Sequence, residues 1–145
     1  MIKISFNKNV VAPWNEDKIA KIVKMVARYE KKVRGEVEVN LVTESEIKKI
    51  NKNYRGINKV TDVLSFAWQE DKMVKTDFLG QIYLCYPKIK TQAKLWGVTV
   101  NEELARMLVH GLLHLVGFDH QQEKESAVMF NLQEKIVKKL CQSTV

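Results

Sequence analysis

Ile2, Ile4 and Phe6 alternate with Lys3, Ser5 and Asn7, the period-two pattern of a half-buried strand. Past Pro13 the period lengthens. Ile19, Ile22, Val23, Val26 and Val33 recur at helical spacing with lysines between them, until Gly35 breaks the pattern. Val37, Val39 and Leu41 then alternate with Glu36, Glu38 and Asn40 as a second strand. Thr43 and Glu46 have the spacing of a capping box and precede Ile47, Ile50 and Tyr54, which predicts a short helix. Residues 55–61, with Gly56 and Asn58, read as a polar loop, 62–68 as a third strand and the charged stretch 70–77 as a hairpin connection. The β-branched and aromatic content of 78–86 predicts a fourth strand. Pro87 and Gly97 bracket a further helix. Thr99 and Glu102 repeat the capping pattern ahead of an apolar stripe formed by Leu104, Leu108, Leu112 and Leu115. Ala127, Val128, Leu132, Ile136, Val137 and Leu140 predict a final amphipathic helix.

This order, β-α-β-α-β-β-α-α-α, is that of an α+β protein. The βα units imply parallel pairing, and the close third and fourth strands imply a hairpin. With 145 residues, 46% of them hydrophobic, and no repeat or linker-like stretch, a single domain over 1–145 with one core is expected. No apolar run reaches the roughly 18 residues of a membrane span, and the start of the chain does not read as a signal peptide. Cys85 and Cys141 are far apart and follow no metal or redox spacing, so a reduced, cytoplasmic protein is expected.

Charge narrows the choice of partner. The net charge is +7, and its source is uneven: residues 1–60 carry 14 Lys+Arg against 7 Asp+Glu, whereas 61–145 carry 10 of each. A basic excess favours polyanions, nucleic acid above all, through phosphate contacts and counterion release. The first half is therefore expected to build the basic surface, although most single lysines simply solvate helix faces.

All three histidines fall between positions 110 and 120. His110 and His114 are i and i+4, one turn apart on one helix face. Gly117 suits a left-handed helix end, after which His120 can reach a metal held by the first two. Three imidazoles on one point, with the fourth tetrahedral position open, describe a catalytic zinc. A structural zinc would need Cys85 or Cys141 as fourth ligand, and neither is near in sequence, so the open site is preferred. Asp119 either caps the following helix or orients a ligating histidine. The same histidine spacing occurs in metzincin peptidases, which place a general-base glutamate directly after the first histidine. That position is Gly111 here, so peptidase chemistry is disfavoured.

Positions 110–120, His-Gly-Leu-Leu-His-Leu-Val-Gly-Phe-Asp-His, resemble throughout the signature of the YbeY family of bacterial metal-dependent single-strand endoribonucleases. That family works in maturation of small-subunit ribosomal RNA and in ribosome quality control. Asn53-Tyr54-Arg55-Gly56 and Thr61-Asp62-Val63-Leu64-Ser65-Phe66 resemble its second characteristic block, and Leu79-Gly80-x-Ile82 and Gln92-Ala93 are weaker echoes. One position departs: Gln81 stands where the family usually carries Asp, so no charged role passes to it.

The resemblance implies a mixed four-stranded sheet packed with about five helices, and one zinc per chain on His110, His114 and His120. It puts Arg55 at the catalytic cleft with His114. A guanidinium there can grip a phosphate with two hydrogen bonds, whereas the residue on its own reads as a surface arginine. Asp62 and Ser65 are read as cleft-lining at most. The implied partners are single-stranded RNA, ribosomal RNA in particular, and the small ribosomal subunit, with no membrane. Two other readings stand beside the nuclease: a ribosome-assembly factor that binds RNA and whose metal is structural or weakly catalytic, and a metzincin-like peptidase.

Overall fold

The chain alternates between sheet and helix along its length: β1 (Ile2–Lys8), α1 (Glu16–Tyr29), β2 (Gly35–Val42), α2 (Glu44–Arg55), β3 (Val63–Ala67), β4 (Phe78–Cys85), α3 (Tyr86–Trp96), α4 (Val100–Leu115) and α5 (Glu123–Gln142). These elements come from a computed structural model that describes residues 2–68, 77–118 and 121–142. The four strands pair in the order β1-β2-β4-β3. β1 and β4 both run parallel to β2, and β3 lies antiparallel to β4 at the edge. The α+β class, the mixed sheet, the parallel units and the β3–β4 pairing are those expected.

Register sorts the side chains onto two faces. The pairs Ile4↔Val37 and Val39↔Ile82 put the apolar alternates together, and Ser65↔Ile82 adds β3 to that face. α1 and α4 cover it, with α3 and α5 packed around α4. Leu104, Leu108 and Leu112 of α4 are fully buried and Leu115 nearly so, and Val109 and Leu113 join them, so α4 is the central helix of the core. On the other face, α2 covers one end only, over a small cluster of Val42, Ile47, Leu64 and Cys85. Thr43 caps α2 with both halves of the capping box formed, and Thr99 caps α4 by accepting from the Glu102 amide.

The structure corrects several local expectations. α1 ends at Tyr29, and Val33 is buried from the connection that follows rather than from the helix. Arg55 is the last residue of α2, not part of a loop. Tyr86 opens α3 instead of closing β4, with Pro87 in the first turn, where its missing N–H costs nothing. Of the expected hairpin connection 70–77, residues 70–76 lie outside the described residues. In α5, Ala127 and Val128 face outward. The buried stripe is Met129, Gln133, Ile136, Val137 and Leu140, a regular helical spacing that the polar Gln133 conceals.

Candidate metal centre

α4 brings the first two histidines together as their spacing requires. The Nε2 atoms of His110 and His114 lie 3.1 Å apart. Ligands on a tetrahedral zinc, each about 2.0–2.1 Å from the metal, stand roughly 3.3 Å from one another. The pair is thus close to the separation a shared metal requires. The ring centres lie 4.6 Å apart with their planes crossed at 79°, so the nitrogens converge while the ring bodies diverge.

A chain of hydrogen bonds behind His110 orients its ring. The Gln133 amide nitrogen donates to a Glu134 carboxylate oxygen at 3.0 Å. That leaves Gln133 Oε1 to face His110 Nδ1 at 2.8 Å, and a carbonyl oxygen can only accept. With Nδ1 turned to Gln133, His110 directs Nε2 toward His114 and the cleft. Glu134 is fixed in turn by Arg106, which bonds it through Nε and Nη2 and also reaches Glu102 and Glu103. Burial works against ionisation of Glu134, but the Arg106 and Gln133 hydrogen bonds prevail and hold its carboxyl below the usual range. Gln92 donates to the buried Glu103, which ties α3 into the same network.

Residue reasoning on the sequence missed Gln133. The available signal was a polar residue at a core position of α5, where an apolar side chain would have been placed. Buried polar residues need a partner, and Gln133 finds one in its neighbour Glu134 and another in His110 on the facing helix α4. Gln133→Leu is expected to keep the fold and weaken metal affinity about 10- to 100-fold, because His110 loses the acceptor that orients it. Competition against a chromophoric chelator measures this directly.

The third expected ligand, His120, and its neighbour Asp119 lie outside the described residues. Gly117 does end α4 as expected: it adopts a left-handed φ of 104°, and Phe118 N–H bonds back to the Leu113 carbonyl. Among the described residues no three His, Cys, Asp or Glu side chains are placed together to hold a metal. Neither cysteine serves. Cys85 is buried under α2 on the opposite face of the sheet, and burial pushes its thiol pKa up. Cys141 approaches Glu102, near the start of α4.

His110 and His114 open into a cleft of about 660 Å³ between α4, the β3 edge and the end of α2. Arg55 lines the same cleft, as do Asp62 and Ser65. The Arg55 guanidinium is held in two ways: Nη2 donates to the Ser65 carbonyl at 3.1 Å, and Cζ lies 5.5 Å from the Phe66 ring centre. Asn51 also lines the cleft and donates to the Lys59 carbonyl across the loop. Asp62 is engaged with the Val63 amide at 2.8 Å and shapes the start of β3.

Gly111 has a structural reason to be glycine. A Cβ there would lie 3.0 Å from Ser65 Oγ and 3.2 Å from Ile82 Cγ2, so α4 touches the sheet at this point. A glutamate at 111 would be driven into the β3–β4 surface. Gly111→Glu is expected to destabilise the fold by roughly 3 kcal/mol or more through overpacking and a buried charge. Thermal unfolding checks this, and no gain of peptide hydrolysis is expected. Gln81 is likewise remote from the histidines: it lies on the face of the sheet away from α4, donating to Glu38 at 2.8 Å.

Fold and cleft together define an α+β protein with convergent imidazoles and a guanidinium on one open pocket. The chain belongs to the Endoribonuclease YbeY family, whose profile matches residues 3–141. It is 45% identical over 106 residues to the Endoribonuclease YbeY of a Sulfurihydrogenibium species, covering 72% of this chain and 70% of that one. The protein of the same name from Ureaplasma urealyticum is 42% identical over 103 residues, 71% of this chain and 66% of the relative. That from Halalkalibacterium halodurans is 38% identical over 133 residues, 84% of each chain. A Thermotoga maritima protein of known solution structure aligns with a TM-score of 0.66 at 31% identity, covering 99% of this chain and 91% of that one.

Proposed function

We propose that this protein is a metal-dependent endoribonuclease that cuts single-stranded RNA, working in small-subunit ribosomal RNA maturation and ribosome quality control. The observation that carries this reading is the shared cleft, where two imidazole nitrogens 3.1 Å apart and the Arg55 guanidinium line one pocket. The relatives' name, Endoribonuclease YbeY, supports RNA as the substrate. The basic first half of the chain supports it too. A cytoplasmic location and the small ribosomal subunit as partner belong to the same proposal. No helix among the described residues is long and apolar enough to cross a membrane.

The residues divide the work. His110, His114 and His120 would hold the metal, zinc being one that imidazole nitrogen suits. Bound there, a divalent cation supplies Lewis acidity toward water and toward a phosphoryl oxygen. Gln133 keeps His110 Nε2 aimed at the cleft. Arg55 spends one N–H on Ser65 and turns the rest of its fork to the phosphate, fixing the scissile bond and offsetting charge as it builds up. The β3 edge forms the opposing wall.

Three substrates test the reading. Metal-loaded protein is incubated with single-stranded RNA, the same sequence as duplex, and casein. Cleavage of the first alone is expected. Tight RNA binding without cleavage would favour an assembly factor, and casein hydrolysis would favour a peptidase, for which Gly111 offers no base.

A further inference from the structure

The face of the sheet that α4 does not cover carries a row of aromatic rings. Tyr54, at the end of α2, is 74% exposed and lies 5.4 Å from Phe66 of β3. Phe66 meets Tyr83 of β4 edge-on at 6.0 Å. Farther along the hairpin, Trp68 is 56% exposed and contacts Phe78 at 5.5 Å. Phe66 and Trp68 are two residues apart on the β3 line, so their rings stand on the same side.

Exposed aromatics grouped on one face mark an interaction surface more strongly than scattered ones do. Two observations point to the occupant. The row is continuous with the cleft, because the Arg55 guanidinium that lines the cleft also lies over Phe66. And the exposed stretch 52–59 beside Tyr54 contains Lys52, Arg55 and Lys59 with no carboxylate, which suits a phosphate backbone. Glu38, beside Tyr83 on this face, already accepts hydrogen bonds from Gln81 and Asn40.

We propose that the exposed rings of Tyr54 and Trp68, with the half-buried Phe66 backing Tyr54, form a stacking platform for unpaired bases of the RNA strand whose backbone enters the cleft at Arg55. This rests on the nuclease reading and adds a physical cause for single-strand preference. Bases splayed onto aromatic rings must first be free of a duplex, and stacking tolerates any base because each has a π-face. The platform therefore contributes affinity with little sequence selectivity.

The test is equilibrium binding in chelator, so that no cleavage occurs. The probes are a fluorescein-labelled eight-nucleotide oligoadenylate RNA and a strand of the same length that is abasic throughout. Tyr54→Ala and Trp68→Ala are each expected to weaken oligoadenylate binding about tenfold, the effect of one base–aromatic stack, and to leave the abasic strand unchanged. Tyr54→Trp should bind like the parent, and Tyr54→Leu like the alanine variant, with identical circular dichroism throughout. Unchanged oligoadenylate affinity in both alanine variants would overturn the proposal. So would an equal loss for the abasic strand, or a parent that binds neither probe, or a parent dimer that dissociates on Tyr54→Ala. Tyr54-dependent binding by a protein that never cleaves RNA when metal-loaded would retain the platform and remove the nuclease reading alone.

Discussion

His114→Ala is expected to lose metal and RNA cleavage together, with cleavage falling on the order of 10³-fold or more. His114 provides one of two nitrogens held 3.1 Å apart, and no other described ligand group is placed to substitute for it. The fold should survive. His114 is only partly buried on the cleft side of α4, while Leu108, Leu112 and Leu113 beside it carry the packing. Elemental analysis and single-turnover cleavage on one preparation check the two losses side by side. Metal retained at full stoichiometry would remove His114 from the ligand set.

Arg55→Ala is expected to lower the cleavage rate by about 10²- to 10³-fold while changing RNA affinity and metal content far less. The reason is differential binding, since a guanidinium that meets the charge developing on the phosphate acts most strongly in the transition state. Arg55→Lys should recover little, because an ammonium cannot reproduce a two-pronged grip. Single-turnover rates alongside binding constants separate the two effects. Equal losses in rate and affinity would make Arg55 an ordinary phosphate contact.

The histidine pair was legible because i, i+4 spacing becomes geometry on any helix, and the leucine stripe beside it dictates which side of α4 enters the core. The strands were legible for the same reason at period two. Gln133 was not, since its role depends on which face of α5 meets α4, and that is set by tertiary packing. The apolar residues Ala127 and Val128 misled for that cause: hydrophobicity alone does not fix helix rotation when the buried stripe includes a glutamine. Gly111 was read in the sequence as a missing base. Only the approach of α4 to Ser65 and Ile82 shows that it is also a packing requirement. The grouping of Tyr54, Phe66 and Trp68 joins the end of one helix to one face of an edge strand, which periodicity within a segment cannot reveal.

One metal on His110, His114 and His120 is proposed to make this cleft a nuclease. Apoprotein titrated with zinc, with bound metal and single-stranded RNA cleavage followed in the same samples, tests it most directly. Cleavage should rise in step with occupancy and level off at about one equivalent per chain, and His120→Ala should neither bind zinc tightly nor cleave. Full cleavage by parent protein stripped well below one equivalent, or by His120→Ala, would contradict the account.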